Sequence, residues 1–362
     1  MSVTQKVVAG LAILLLVAAL AIGLTAWLSS PLFAAVVWIG SITILLLASV
    51  LVPVRTDDLV VKSDPCESFA QSLERFEAGL AASEGRLNPL CHPRLLHHGS
   101  RTDIGIVLIH GISSCPQAFV DFAPKLHDRG HNVLVARMPC NGLKDRSTDA
   151  LNRLTAEELT DFGNRVVDLA TGLGNKVVVC GISAGGTVAA WIGQTRPEAD
   201  RAVLIAPFVG LPGIGLTLNI LLMRIMLLLP PMSVWKDPVL RERYEGMAHA
   251  YKRQSTRGTG EVLRLAYATA QKAKTQAPAA DHTVLVTNAN DKAIDNRIAA
   301  HFADLWHAAG NEVMRYQFPE TCGLGHEIID PLEPGADPSL TYPVLFELIE
   351  GKTPPAIASA TA

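Results

Sequence analysis

The chain opens on two apolar stretches that contain no charge. Val7–Leu28 runs for 22 residues and Leu32–Val54 for another 23, with only Ser29, Ser30 and Pro31 between them. A bilayer core needs about 20 apolar residues per crossing helix, so each stretch is long enough. Pro31 suits the break, because it cannot continue the helix before it. The pattern predicts a transmembrane helical hairpin over residues 1–54, with helices at about 7–28 and 32–54. A cleaved signal peptide fits less well, since its apolar region covers about 7–15 residues and no second span follows it. Helices buried in a globular domain also fit less well, because no charge falls between Lys6 and Arg55. Lys6 and the amino terminus precede the first span, Arg55 and Lys62 follow the second, and the turn carries no positive charge. The positive-inside rule then puts both ends, and the domain that follows, on the cytoplasmic side of a cell membrane.

Residues 55–66 are polar and mixed in charge, as a juxtamembrane linker would be. Within Glu67–Glu84, the residues Phe69, Leu73, Phe76 and Leu80 recur at three- and four-residue spacing, which predicts an amphipathic helix. Linker and helix together occupy 55–92. From 93 onward the hydrophobic period switches back and forth. Arg94–His98, Ile104–Ile109, Asn132–Ala136, Lys176–Cys180, Ala202–Ala206, Thr283–Thr287 and Glu312–Phe318 read as strands. Ala118–Asp128 reads as a helix kinked at Pro124, and Ala156–Leu173 and Tyr342–Ile349 are helical in period. Gly181–Gly193 reads as a turn and a helix. Such alternation predicts an α/β domain over 93–350, with a mostly parallel sheet covered by helices on both faces.

One stretch breaks the alternation. Residues 211–281 show no clear strand and are rich in helical pattern, which predicts a cap inserted over the sheet edge. Leu216–Leu229 is apolar except for Thr217, Asn219 and Arg224. Its 14 residues fall short of the roughly 20 that a span requires. Two readings stay open for it: a lid helix facing a lipid-like substrate, or an ordinary buried helix. The small residues after Pro354 predict a flexible tail over 351–362.

Composition changes this picture little. Of 362 residues, 49% are hydrophobic and 18% charged. The mean hydropathy of +0.27 reflects mainly the first 54 residues and the stretch near 211–235. A net charge of −3, with no basic patch and no interleaved aromatics, argues against a nucleic-acid partner. The six cysteines form no CxxC pair and no zinc-like spacing. Cys180 falls inside an apolar strand, where a free buried thiol is expected. Disulfides are allowed by the even count, but a chain of this length does not need them. His127 and His131 have the i,i+4 spacing of a zinc helix. Gly130 reads as that helix's C-terminal stop, which would leave His131 off its face. No cofactor and no metal is expected.

The chemistry concentrates in four places. Gly181-Ile182-Ser183-Ala184-Gly185 matches G-x-S-x-G, in which a serine sits on a sharp turn between a strand and a helix. The apolar strand before it and the small-residue helix after it supply that context. A serine hydroxyl needs a base within reach, and the base needs an orienting carboxylate. Asp291 follows the strand Thr283–Thr287, and His326 follows the strand Glu312–Phe318 in Gly323-Leu324-Gly325-His326-Glu327, whose glycines let the loop carry the imidazole back to the serine. Asp295 is the rival carboxylate, but it stands four residues further on and suits a local cap. Carboxylates just beyond parallel strand ends are where ligands collect in open α/β sheets. The oxyanion of an acyl-transfer intermediate needs backbone donors. The N–H of Ala184 is one, and the N–H of Ile112, in His110-Gly111-Ile112 after the strand Ile104–Ile109, is the other.

Leu108-Ile109-His110-Gly111-Ile112, the Ser183 elbow, Asp291-Lys292 and Gly325-His326 together resemble the α/β-hydrolase superfamily. The likeness is to its carboxylesterase and monoacylglycerol-lipase-like branch, also described as serine aminopeptidase-like, and covers about 93–350. That branch often carries Pro-Gly-His-Gly where this chain has Pro139-Cys140-Asn141-Gly142. The resemblance implies a serine hydrolase in which Ser183 attacks an ester, His326 moves the proton and Asp291 orients His326. A membrane hairpin and an apolar cap would favour a small-molecule or lipid ester. An aminopeptidase or an acyltransferase on the same fold, and a catalytically silent membrane scaffold, are the alternatives. The silent scaffold predicts a missing triad member, whereas all three are present.

Overall fold

The computed structural model describes residue 22 and residues 30–81 and 85–355. The predicted span 7–28 therefore lies outside the described residues, except for Ile22. Within the second predicted span lies helix α1 (Pro31–Leu51), which ends shortly before Arg55. Its side chains are described at 35–44, 47 and 51. Among the described residues no helix is long and apolar enough to cross a membrane, so the fold does not support the predicted two-span hairpin.

The linker does not hang free. Leu59 and Cys66 are buried, and the Cys66 N–H donates to the Asp168 carbonyl at 2.9 Å. Amphipathic helix α2 (Phe69–Ala81) follows, with Phe69 and Phe76 packed on the main core.

Then the alternation begins, largely at the predicted places. Strand β1 (Arg94–Leu96) and strand β2 (Thr102–Ile109) come first. The helix expected over Ala118–Asp128 is two pieces, a 3-10 turn Pro116–Phe119 and α3 (Phe122–Asp128). Pro124 lies in the first turn of α3, where its missing N–H costs nothing. Next come β3 (Asn132–Ala136), α4 (Ala156–Thr171), β4 (Gly174–Ile182), α5 (Ala184–Thr195) and β5 (Arg201–Ile205). Helix α4 starts on a full capping box between Thr155 and Glu158, a device that satisfies two orphan backbone donors reciprocally.

The insertion between β5 and the next sheet strand is mixed, not purely helical. It holds α6 (Gly215–Leu228), a small antiparallel pair β6 (Ser233–Trp235) and β7 (Arg253–Ser255), and α7 (Thr256–Ala273). The two strands have three residues each, too short for a period-2 pattern to declare itself. Of α6, only Asn219 and Met223 are buried, so it is neither a core helix nor a fully exposed one. Strand β8 (His282–Asn288), α8 (Asn296–Ala308), β9 (Val313–Phe318) and α9 (Pro338–Glu350) complete the domain. Helix α8 had no counterpart in the sequence reading, although Ile298, Phe302, Ala303 and Trp306 are buried along one face.

The main sheet runs β1-β3-β2-β4-β5-β8-β9, parallel throughout except for β1 at one edge. One core packs α4, α5 and α7 on one face, and a second packs α3 and α9 on the other. Chain order reverses at β2: β3 lies on one side of it and β4 on the other. The carboxyl ends of strands flanking such a switch point form a crevice.

Candidate active site

Every predicted site residue follows the carboxyl end of a parallel strand. Ser183 follows β4 directly, in a backbone conformation of φ 55° and ψ −121°. Few residues with a side chain sit there, and such strain persists only where the surroundings over-determine it. The surroundings here are tight. A Cβ on Gly185 would meet the Ile109 carbonyl oxygen at 2.1 Å, and one on Gly181 would meet the Gly185 oxygen at 2.1 Å. Two glycines thus let the strand, the turn and helix α5 pack in contact. The Ser183 N–H donates to the Ile205 carbonyl, and the Ser183 carbonyl accepts from the Phe208 N–H, both at 3.0 Å.

His326 and Asp291 meet. His326 Nδ1 lies 2.7 Å from Asp291 Oδ2, with the carboxylate side chain fully buried and the imidazole partly open. Asp291 Oδ1 also accepts from the Ala293 N–H at 2.8 Å. Burial disfavours the charged imidazole. The hydrogen bond and charge of Asp291, joined by Glu327 and Glu333, outweigh it and raise the His326 pKa above its ordinary 6.5. Glu327, next to it in sequence, is pushed up to about 7 by burial, against the pull of His326. Among the described residues no hydrogen bond joins Ser183 Oγ to the His326 ring. Such contacts are often long without substrate and tighten in the reacting complex. Asp295 does what its position suggested: it caps α8 through the Arg297 N–H at 3.0 Å and pairs with the Arg297 guanidinium at 2.8 Å.

The oxyanion candidates flank the serine. Ala184 is the first residue of α5, where an N–H has no intrahelical acceptor. The Ile112 N–H meets no acceptor among the described residues. Its loop runs against Ser183, since a Cβ on Gly111 would lie 3.3 Å from Ser183 Cβ and 3.8 Å from its Oγ. His110 fixes this loop from below. It is fully buried and burial pulls its pKa down to about 3, so the ring is neutral. Nε2 accepts from the Met138 N–H at 3.1 Å, which leaves Nδ1 to donate to the Gly111 carbonyl at 2.8 Å.

Several supports were not foreseen. Asn141, in the divergent Pro139-Cys140-Asn141-Gly142 loop, accepts from the Ser113 N–H at 2.9 Å and so holds the loop that carries the candidate donor Ile112. Buried Asn288 donates to the carbonyls of Leu324 at 2.9 Å and Gly325 at 2.6 Å, which ties the His326 loop to the strand that delivers Asp291. The only sequence signal for each was an asparagine at a strand-end loop. Cys91 and Cys115 form a disulfide, where the length of the chain had suggested none was needed. Both are fully buried, and the bridge clips the segment after Ile112 to the turn at 89–91. Cys180 is a buried free thiol as expected, with burial pushing its pKa up.

Gly130 has φ 96°, and His131 lies beyond α3 beside Glu350 at 3.1 Å. His127 and His131 therefore do not share a helix face. Among the described residues no cluster of three metal-ligating side chains occurs. A small apolar recess, partly open to solvent, lies between α6, α7 and α8, and none of Ser183, Asp291 and His326 lines it.

Residues 106–338 match the sequence model described as the alpha/beta hydrolase family. No curated protein matches the chain in sequence. Solved structures share the fold. A monoacylglycerol lipase from Paleococcus ferrophilus is similar at TM-score 0.52 and 16% identity, over 72% of this chain and 98% of that one. A soluble variant of the Saccharomyces cerevisiae monoglyceride lipase, in complex with a substrate analog, is similar at 0.55 and 12%, over 73% and 92%. A structure reported with the metagenome-derived lipolytic enzymes LipS and LipT is similar at 0.54 and 14%, over 74% and 100%.

Proposed function

This chain belongs to the alpha/beta hydrolase family, and on that footing we propose that it is a serine hydrolase that cleaves a carboxylic ester through an acyl-enzyme. The observation that carries the reading is the His326–Asp291 contact at 2.7 Å, taken together with a serine held on a strained strand-to-helix elbow. Asp291 fixes the imidazole with Nδ1 protonated, so Nε2 is free to take the Ser183 proton. Ser183 Oγ then adds to the ester carbonyl, and the oxyanion forms opposite the N–H groups of Ile112 and Ala184. Each such donor is worth roughly 3–4 kcal/mol in the transition state. The His326 imidazolium returns the proton to the leaving alcohol, and water, activated by the same imidazole, releases the acid. No step needs a cofactor. The three similar lipases and lipolytic enzymes support a lipid-like or short acyl ester as substrate.

Membrane attachment belongs to this proposal. The exposed side chains of Val36, Trp38, Ile39, Ile42, Leu47 and Leu51 on α1 favour an apolar surrounding. The side of the membrane is a separate question. A few flanking charges favour the cytoplasm. A fully buried cystine beside the oxyanion loop favours an oxidising compartment, and it carries more weight because such bridges are rare in reducing cytosol. A periplasm-only reporter fused to the C-terminus distinguishes the two; an inactive reporter on an expressed fusion would return the domain to the cytoplasm.

The catalytic reading is tested by labelling membranes with a fluorophosphonate probe. Wild type should label and Ser183→Ala should not; labelling that survives places the nucleophile elsewhere. A panel of p-nitrophenyl esters of graded chain length then tests the reaction class, and turnover of none of them would remove the esterase assignment.

A further inference from the structure

A second buried histidine–carboxylate pair joins the cap to the catalytic loop. His249 Nε2 lies 2.8 Å from Asp330 Oδ2, and each side chain is only 1% exposed. His249 belongs to the cap, between β6 and β7. Asp330 lies four residues after His326. Among the described residues the other nitrogen of His249 finds no hydrogen-bond partner, and Asp330 is the group that bonds the imidazole.

The cap segment around His249 grips the catalytic machinery at further points. The Tyr251 N–H donates to the Ser113 carbonyl in the oxyanion loop at 2.8 Å. The Tyr251 hydroxyl donates to the Cys140 carbonyl and accepts from the Leu143 N–H, both at 2.9 Å. Arg146 donates from Nε to the Ala250 carbonyl at 2.9 Å. The His326 loop has its own anchors: Asn288 before His326, and Thr341 and Tyr342 on the carbonyls of Ile328 and Ile329 after it. Asp330 joins that loop to the cap through His249.

Stability alone does not explain such a pair. A buried polar pair of this kind can often be replaced by packed apolar side chains at little or no loss of stability. What an apolar replacement lacks is direction, because it does not fix one loop against another at a single register. We propose that His249 is a positioning residue: through Asp330 it sets the His326 loop against the same cap segment that holds the oxyanion loop, so that the base and the oxyanion donors are placed by one element. The proposal rests on the serine-hydrolase reading.

The experiment compares wild type, His249→Ala, His249→Gln and the apolar double variant His249→Leu/Asp330→Leu. Each is measured for the rate of fluorophosphonate labelling, kcat and KM on a p-nitrophenyl ester, and urea midpoint. A displacement of about 1 Å at a reacting group costs about 100-fold in rate, so His249→Ala should lose about 10- to 100-fold in kcat and labelling rate, with KM within about threefold. His249→Gln, which keeps an N–H toward Asp330, should recover part of the rate. The apolar double variant should keep the wild-type urea midpoint and stay slow. Wild-type rates in His249→Ala or the double variant overturn the proposal and leave the hydrolase reading intact. A rate loss that merely follows the folded fraction overturns it too. A wild type that neither labels nor turns over ester removes both.

Discussion

Replacing Cys91 and Cys115 together by alanine tests how the proposed oxyanion loop is held. The bridge spans a sequence separation of 24 residues. The chain-entropy relation for a loop of that size gives about 3.5 kcal/mol of stabilisation, taken from the unfolded state. That corresponds to roughly a 400-fold change in the folded-to-unfolded ratio. For the roughly 260 residues of the α/β domain the unfolding entropy is about 0.55 kcal/mol/K, so the melting temperature should fall by about 6 °C. The local consequence is separate. Gly142, at φ 72°, packs so closely that a Cβ there would meet Cys91 Cβ at 2.8 Å. The cystine thus holds the turn at 89–91, the oxyanion loop and the 139–142 loop together, and its loss should slow labelling of Ser183 under conditions where the variant is folded. Urea and thermal melts measure the first effect, and fluorophosphonate labelling well below the midpoint measures the second. An unchanged midpoint would refute the tether. Alkylation of Cys91 and Cys115 in unreduced, urea-unfolded wild type would show that the bridge never forms.

Two further predictions concern the base and its orienting acid. Only neutral His326 can accept the serine proton, and its pKa is raised, so kcat/KM should fall as pH drops through a midpoint above 6.5. Because Glu327 helps to raise that pKa, Glu327→Gln should move this acid limb to lower pH, and a limb that stays in place or moves up would contradict the assignment. Asp291→Asn should lower kcat by about 10⁴-fold by disturbing the His326 tautomer. Asp295→Asn should cost at most about 1 kcal/mol of stability through the α8 cap, and equal losses of kcat in the two variants would undo the choice between them.

Most of the framework was legible because parallel strands buried on both faces announce themselves as apolar runs. Asn132–Ala136 was read to the residue. The elbow, the two late loops and the candidate oxyanion loop all follow such runs. What failed was short or locally ambiguous. Strands β6 and β7 have three residues each, and the α8 face is broken by alanines. Ala118–Asp128 looked like one helix because spacing cannot separate a 3-10 turn from the α-helix after it.

The sequence by itself determined the α/β alternation and the order Ser183, Asp291, His326, because burial period and strand-end placement are local properties. Tertiary structure decided which residues support that site. Asn141 bonds the Ser113 N–H across 28 positions, Cys91 meets Cys115 across 24, and Asn288 reaches Gly325 across 37. His249 finds Asp330 from a different segment altogether. No local pattern encodes such partnerships. Each arises because the sheet brings its carboxyl ends to one edge, and buried polar groups there must find partners in loops far away along the chain.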